Sequence, residues 1–195
     1  MLDAAFRRPR AADLQVTFRK LDAQTGDLGH ELFDAAYSRF GVMFFSDPVA
    51  PFANIRGSLK PSGRLAFVCW RVPNESPWMQ APLQAALPHL PPLAPDPTAP
   101  GPFAFADRNL PRSILAHSGY RSVTINPFDA DIGGEDRDQT LTLALRIGPL
   151  GRALREHPEF VGEVTDAVRD VLSKHLTSNG VRMSAAVWIV LARTS

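Results

Sequence analysis

Residues 33–70 constrain this chain more than any other stretch. They read FDAAYSRFGVMFFSDPVAPFANIRGSLKPSGRLAFVCW. Two apolar, strand-like runs, residues 33–40 and 64–70, flank one run with helical spacing. Asp47-Pro48 suits a helix start, because the carboxylate can accept from free N–H groups and proline fits the first helical position. Phe52, Ile55 and Leu59 then form an apolar stripe, predicting a helix over residues 47–59. Lys60-Pro61-Ser62-Gly63 stops that helix and turns the chain. Residues 64–70 are almost unbroken in apolarity, as in parallel strands buried on both faces. Strand, helix and strand in this order predict a βαβ unit with a right-handed crossover and parallel pairing of the two strands.

The rest of the chain brackets that unit. Residues 14–21 alternate Leu14, Val16 and Phe18 with Gln15, Thr17 and Arg19, the period of a half-buried strand. Asp22 follows at its carboxyl end. Residues 71–80 contain Pro73 and Pro77 and cannot be one helix. A short apolar helix is expected over residues 79–87, then a stiff proline-rich connector over residues 88–102. Residues 105–117 read as a helix closed by Gly119, and residues 121–128 as a strand. Asp129-Ala130-Asp131-Ile132-Gly133-Gly134 has the start of a calcium loop but fails it at Gly133 and Thr140, and reads as a turn. Helices are expected over residues 136–147, ending before Pro149, and 158–176. Asn179-Gly180 is a turn, and residues 181–192 form a last strand. The domain expectation is one unit over residues 1–195. It carries a proline-rich and helical lid or insert at about residues 72–118 and a second helical insert at about residues 134–178.

Composition excludes several function classes. A net charge of +1 gives no push toward nucleic acid or a membrane surface. No apolar run approaches the roughly 20 residues of a membrane span. Charges stand where a secretion signal would need an apolar core. Arg7, Arg8 and Arg10 make either an anion site or a solvated helix end. Cys69 is the sole cysteine, so no intrachain disulfide forms, and its apolar neighbours suit an inert buried thiol rather than a nucleophile. These features together favour the cytoplasm. The five histidines show no paired metal spacing, so no metal is expected. No Gly-x-Ser-x-Gly elbow or phosphate-binding P-loop occurs.

The segments FDAAYSRFGVMFFSDP and LKPSGRLAFVCWR, with Asp22-Ala23-Gln24-Thr25 upstream, resemble class I S-adenosylmethionine-dependent methyltransferases. The small-molecule branch that includes the ubiquinone/menaquinone C-methyltransferases is the most similar. Its turn is usually Leu-Lys-Pro-Gly-Gly, from which Ser62 departs. The resemblance implies an α/β fold: a partial Rossmann-like methyltransferase sheet, mostly parallel with an antiparallel last strand, and helices on both faces. The family sheet runs three, two, one, four, five, seven, six. On this alignment residues 14–21 match strand three and residues 33–40 match strand four. The family's glycine-rich cofactor loop and ribose-binding carboxylate would precede residue 1, so the chain reads as an N-terminally incomplete methyltransferase.

The same resemblance assigns residues. Asp22 and Ala23 would meet the adenine; Asp22 also reads as an ordinary turn carboxylate. Tyr37, Ser38 and Arg39 would line the cofactor and reaction site. Arg39 suits either a bidentate carboxylate or packing across the sheet edge. Phe40, Trp70 and Trp78 are candidates for a substrate wall, with core packing as the alternative for the aromatic cluster. No catalytic base is identifiable. S-adenosylmethionine is the implied cofactor, with weak or no binding by this chain alone, and a small molecule is the implied substrate. The other function class is a non-catalytic remnant that acts as a protein-interaction or dimerisation module. A second copy or a partner chain would then cover the apolar edge of residues 33–40.

Overall fold

The computed structural model describes residues 16–92 and 100–195. Its centre is a four-stranded sheet in the order β1-β2-β6-β3. Strand β1 is Phe33–Arg39, β2 is Leu59–Trp70, β3 is Arg121–Ile132 and β6 is Met183–Arg193. A two-residue hairpin, β4 (Leu176–Thr177) and β5 (Gly180–Val181), turns the chain before β6. As the βαβ pattern predicts, β1 pairs with β2 in parallel, with Tyr37 opposite Ala66 and Arg39 opposite Val68. Strand β6 runs antiparallel to both β2 and β3. Three strands therefore share one direction and the last strand opposes them, the mixed sheet implied by the resemblance. Among the described residues β1 pairs only with β2.

Alternation along β2 decides which face is which. Leu65, Phe67 and Cys69 are at most 2% exposed, while Ala66, Val68 and Trp70 are half-buried. The first set packs under helix α1 (Ala50–Ser58) and helix α3 (Asn109–His117), together with Phe52, Ile114, Leu115 and, from β6, Val190. Burial pushes the Cys69 thiol up to about 12, which keeps it protonated and inert. The opposite face is covered at one end only. There Met183 and Ala185 of β6 meet Trp78 of helix α2 (Pro77–Ala86) and Val164, Val168 and Leu172 of helix α6 (Val161–Ser173). Helices α4 (Arg137–Ala144) and α5 (Gly148–Glu156) complete this second core.

Several boundaries differ from the sequence reading. Residues 16–21 form no strand, and Val16 and Leu21 are each 40% exposed. Their alternation has no neighbouring ladder among the described residues to complete it; residues 14 and 15, the Arg7, Arg8 and Arg10 cluster, and much of the proline-rich connector lie outside the described residues. The 60–63 segment does not end a helix before a strand but belongs to β2. The register jumps from Phe33–Leu59 to Ala35–Arg64, so these residues loop out as a bulge. The bulge is clasped from the C-terminus, where Thr194 donates its amide to Gly63 O (2.9 Å) and its hydroxyl to Lys60 O (2.8 Å). Asp129–Ile132, read as a turn, instead extends β3, because Ala130 and Ile132 find partners in Ala185 and Met183. The helix expected to end before Pro149 does so, at Ala144, and Pro149 lies in the first turn of α5.

The bulge puts Ser62 where glycine would sit more easily. Ser62 sits at φ +61°, a left-handed conformation that costs a side chain about 1–2 kcal/mol. Part of that cost returns as glycine's larger unfolded-state entropy. Ser62→Gly is therefore expected to stabilise the fold by about 1 kcal/mol, raising the melting temperature by about 2–4 °C. Calorimetry checks this.

Candidate functional site

In open α/β sheets ligands bind beyond the carboxyl ends of the parallel strands. Here those ends are Arg39 and Trp70. The chain leaves β1 through Phe40, whose φ of +59° is a left-handed conformation rare for a bulky residue. Two contacts hold it there. Its amide donates to Val68 O (3.1 Å), and its ring stacks on Trp70 with centroids 4.2 Å apart and an interplanar angle of 8°. Phe40 and Trp70 thus form one aromatic platform that ties the ends of both strands. Strain fixed by surrounding packing is a recurrent mark of functional sites.

The residues before it diverge. Tyr37 and Arg39 share the sheet face of Ala66 and Val68, and Tyr37 is 88% exposed. Ser38 points the other way and accepts the Gly41 amide (3.3 Å). Among the described residues Arg39 has no ion-pair partner. The sequence triplet is therefore not one cluster. Trp78 is 7% exposed inside the second core, against which Trp70 of the stack also packs, and its indole N–H is buried without an acceptor among the described residues. Trp70 packs against both cores.

Asp22 and Ala23 lie in a loop lashed to α1. The Asp22 carboxylate accepts from the Gln24 amide (2.8 Å) and the Thr25 hydroxyl (3.3 Å), while its carbonyl accepts from Gly26 (2.7 Å). Asn54 on α1 donates from one amide nitrogen to both Ala23 O and Gly26 O, each at 2.9 Å. The Gln24 side-chain oxygen accepts from the Asp47 amide and the Ser46 hydroxyl, each at 3.2 Å. Asp47 in turn accepts from the amides of Val49 (2.7 Å) and Ala50 (3.0 Å), which hold its carboxyl below the ordinary range. The loop and the helix start are one hydrogen-bonded unit beside the strand ends.

Two residues outside the sequence reading support this region. Asn54 is the link just described; its only trace in the sequence is an amide beside the Phe52–Ile55 stripe. Arg71, directly after β2, grips Glu75 through two nitrogens (2.8 Å each) and Asp129 (2.7 Å), and lies 5.1 Å over the Trp188 ring. Bidentate carboxylate pairing raises its pKa further. Among the described residues no three His, Cys, Asp or Glu side chains gather as a metal site, and no helix is long and apolar enough to cross a membrane.

Residues 1–67 match the family model of the methyltransferase domain, a span that contains β1, α1 and most of β2. The chain is similar in structure to a protein of Bacillus halodurans C-125 provisionally described as a methyltransferase. Identity is 14% and TM-score 0.50, over 88% of this chain and 68% of the other. The YcgJ protein of Bacillus subtilis gives 12% identity and TM-score 0.50 over the same shares. No curated protein matches the sequence.

Removing the Asn54 amide leaves two loop carbonyls without their donor. Asn54→Ala should destabilise the fold by about 1–3 kcal/mol. It should also raise amide exchange at Gly26 selectively over the β2–β6 ladder, a contrast readable by NMR.

Proposed function

We propose, for a chain whose residues 1–67 match the methyltransferase-domain family model and whose fold is similar to that of methyltransferases, a role in S-adenosylmethionine-dependent methylation of a small apolar or aromatic molecule. One observation carries the reading. The matched residues build a parallel β1–α1–β2 unit, and the sheet order β1-β2-β6-β3 reproduces the family's four, five, seven, six. The Phe40–Trp70 platform stands at the carboxyl ends of those parallel strands, where a flat or apolar substrate would stack. Arg39 lies beside it with no ion-pair partner among the described residues, suited to an anionic substituent on the substrate.

The cofactor, when bound, supplies the activated methyl group; a protein of this kind contributes orientation and exclusion of water. This chain offers that cofactor a partial grip. The chain contains no Gly-x-Gly-x-Gly segment. Both Asp22 carboxylate oxygens already accept local hydrogen bonds, so an adenine amino group would compete with Gln24 or Thr25. Ala23 remains small enough for a ring to approach. The chain therefore contributes the substrate-facing side of the site and a small part of the cofactor side.

Each missing polar contact costs on the order of 1 kcal/mol or more, and 1.4 kcal/mol is tenfold in affinity. Equilibrium dialysis of the purified chain with labelled S-adenosylmethionine should give a dissociation constant in the millimolar range or weaker. A micromolar constant would show that the described residues grip the cofactor better than their geometry allows.

A further inference from the structure

Trp70 stands past the end of its parallel ladder. Strand β1 closes its pairing with β2 at Arg39 and Val68, and Trp70 comes two residues later. On its other side it pairs with Val187 of β6. From the β1 side it meets the Phe40 ring, stacked at 4.2 Å. Strand ends with few ladder bonds fray readily. An aromatic stack gains about as much as a side chain loses in the left-handed conformation that Phe40 adopts. The stack alone therefore does not fix the two rings.

The next residue supplies the hold. Arg71 extends the strand by one more bond, donating its amide to Ala186 O (3.0 Å). Its side chain is 15% exposed. Ala186 lies opposite Asp129 of β3, and Arg71 Nη1 donates to Asp129 Oδ1 at 2.7 Å. Ala186, between them, carries only a methyl group, which leaves the guanidinium room to cross β6. Nε and Nη2 donate to the two carboxylate oxygens of Glu75, each at 2.8 Å. Glu75 ends the short turn of residues 73–75. Ser76 follows, fully buried, and accepts the Ala186 amide at 3.3 Å; α2 starts directly after it. One guanidinium thus joins the end of β2, the outer strand β3 and the entry to α2. A planar fork of donors suits three carboxylate oxygens in this arrangement, and a lysine ammonium does not reproduce it.

We infer that Arg71 is a positioning residue for the Phe40–Trp70 platform. Its brace onto Asp129 and Glu75 keeps the carboxyl end of β2 in strand geometry, so that the Trp70 ring lies flat on Phe40 without a ligand. That this platform receives substrate rests on the methyltransferase reading; the hold on the ring does not. Two carboxylates face one cation here, so loss of Arg71 leaves Glu75 and Asp129 to repel each other. The turn then lifts from β3, and the end of β2 moves with it.

The test uses the full chain with its three tryptophans labelled as 5-fluorotryptophan. Fluorine NMR reads each ring, and Trp70→Phe assigns the resonance of interest. The stacked Phe40 ring should displace that resonance from its unfolded position. In Arg71→Met most of the displacement should be lost, while Cys69 stays protected from a thiol reagent and so reports an intact sheet. Arg71→Lys, which keeps the charge without the fork, should restore only part of it. If Arg71→Met exposes Cys69, Glu75→Ala decides in its place, because it opens the turn side of the brace and leaves Arg71 paired with Asp129. A folded variant that melts earlier but keeps the Trp70 resonance in place would make Arg71 a structural ion pair and overturn the proposal. The sample holds neither cofactor nor substrate, so this result and the cofactor dialysis fail independently.

Discussion

The structure depends on the facing of β2. This strand is hydrogen-bonded to a parallel neighbour on one side and an antiparallel one on the other. Its odd-numbered residues from Leu65 to Cys69 fill the core under α1 and α3. Because side chains alternate with a period of two, a slip by one residue would exchange the two faces of the strand. The bulge at residues 60–63, clasped by Thr194, sets that register at the strand's start. At the strand's end, Phe40 and Trp70 lock the neighbouring strand against it. The buried core, the aromatic platform and the exposed face all follow from this one alignment.

The βαβ unit was legible because its signals agree. Apolar runs, an aspartate that accepts from the amides at the helix start and a helical stripe all point to one arrangement; only residues 60–63, read as a turn, become a bulge of β2. The antiparallel finish was legible in outline, since residues 121–128 and 181–192 both carry strand composition. The failures have a shared cause. Residues 16–21 alternate correctly, yet a strand exists only where a neighbour supplies a ladder, and none does there. Asp129–Ile132 carries turn-forming residues, yet β6 supplies partners and the strand continues. Local propensity is a weak guide where pairing decides.

The site was legible residue by residue but not as an arrangement. Phe40 and Trp70 meet; Tyr37 and Arg39 share a face; Ser38 and Trp78 point elsewhere. The loop at Asp22 was visible as a motif, but its attachment to α1 through Asn54 joins residues far apart in sequence. A single amide beside an apolar stripe gives no sign of that partner. The same holds for Arg71, whose carboxylates come from the adjacent turn and from β3.

The chain's only cysteine sits on the buried face of β2, so thiol chemistry reads the strand's facing directly. In a Cys69→Ser background, Tyr37→Cys and Leu191→Cys place new thiols on the exposed face. The account predicts that both react with a thiol reagent at rates close to those of an unfolded peptide. Native Cys69 should be protected until denaturant is added. Rapid labelling of Cys69 in the folded chain, with slow labelling at positions 37 and 191, would contradict the alignment from which the core, the platform and the exposed face all derive.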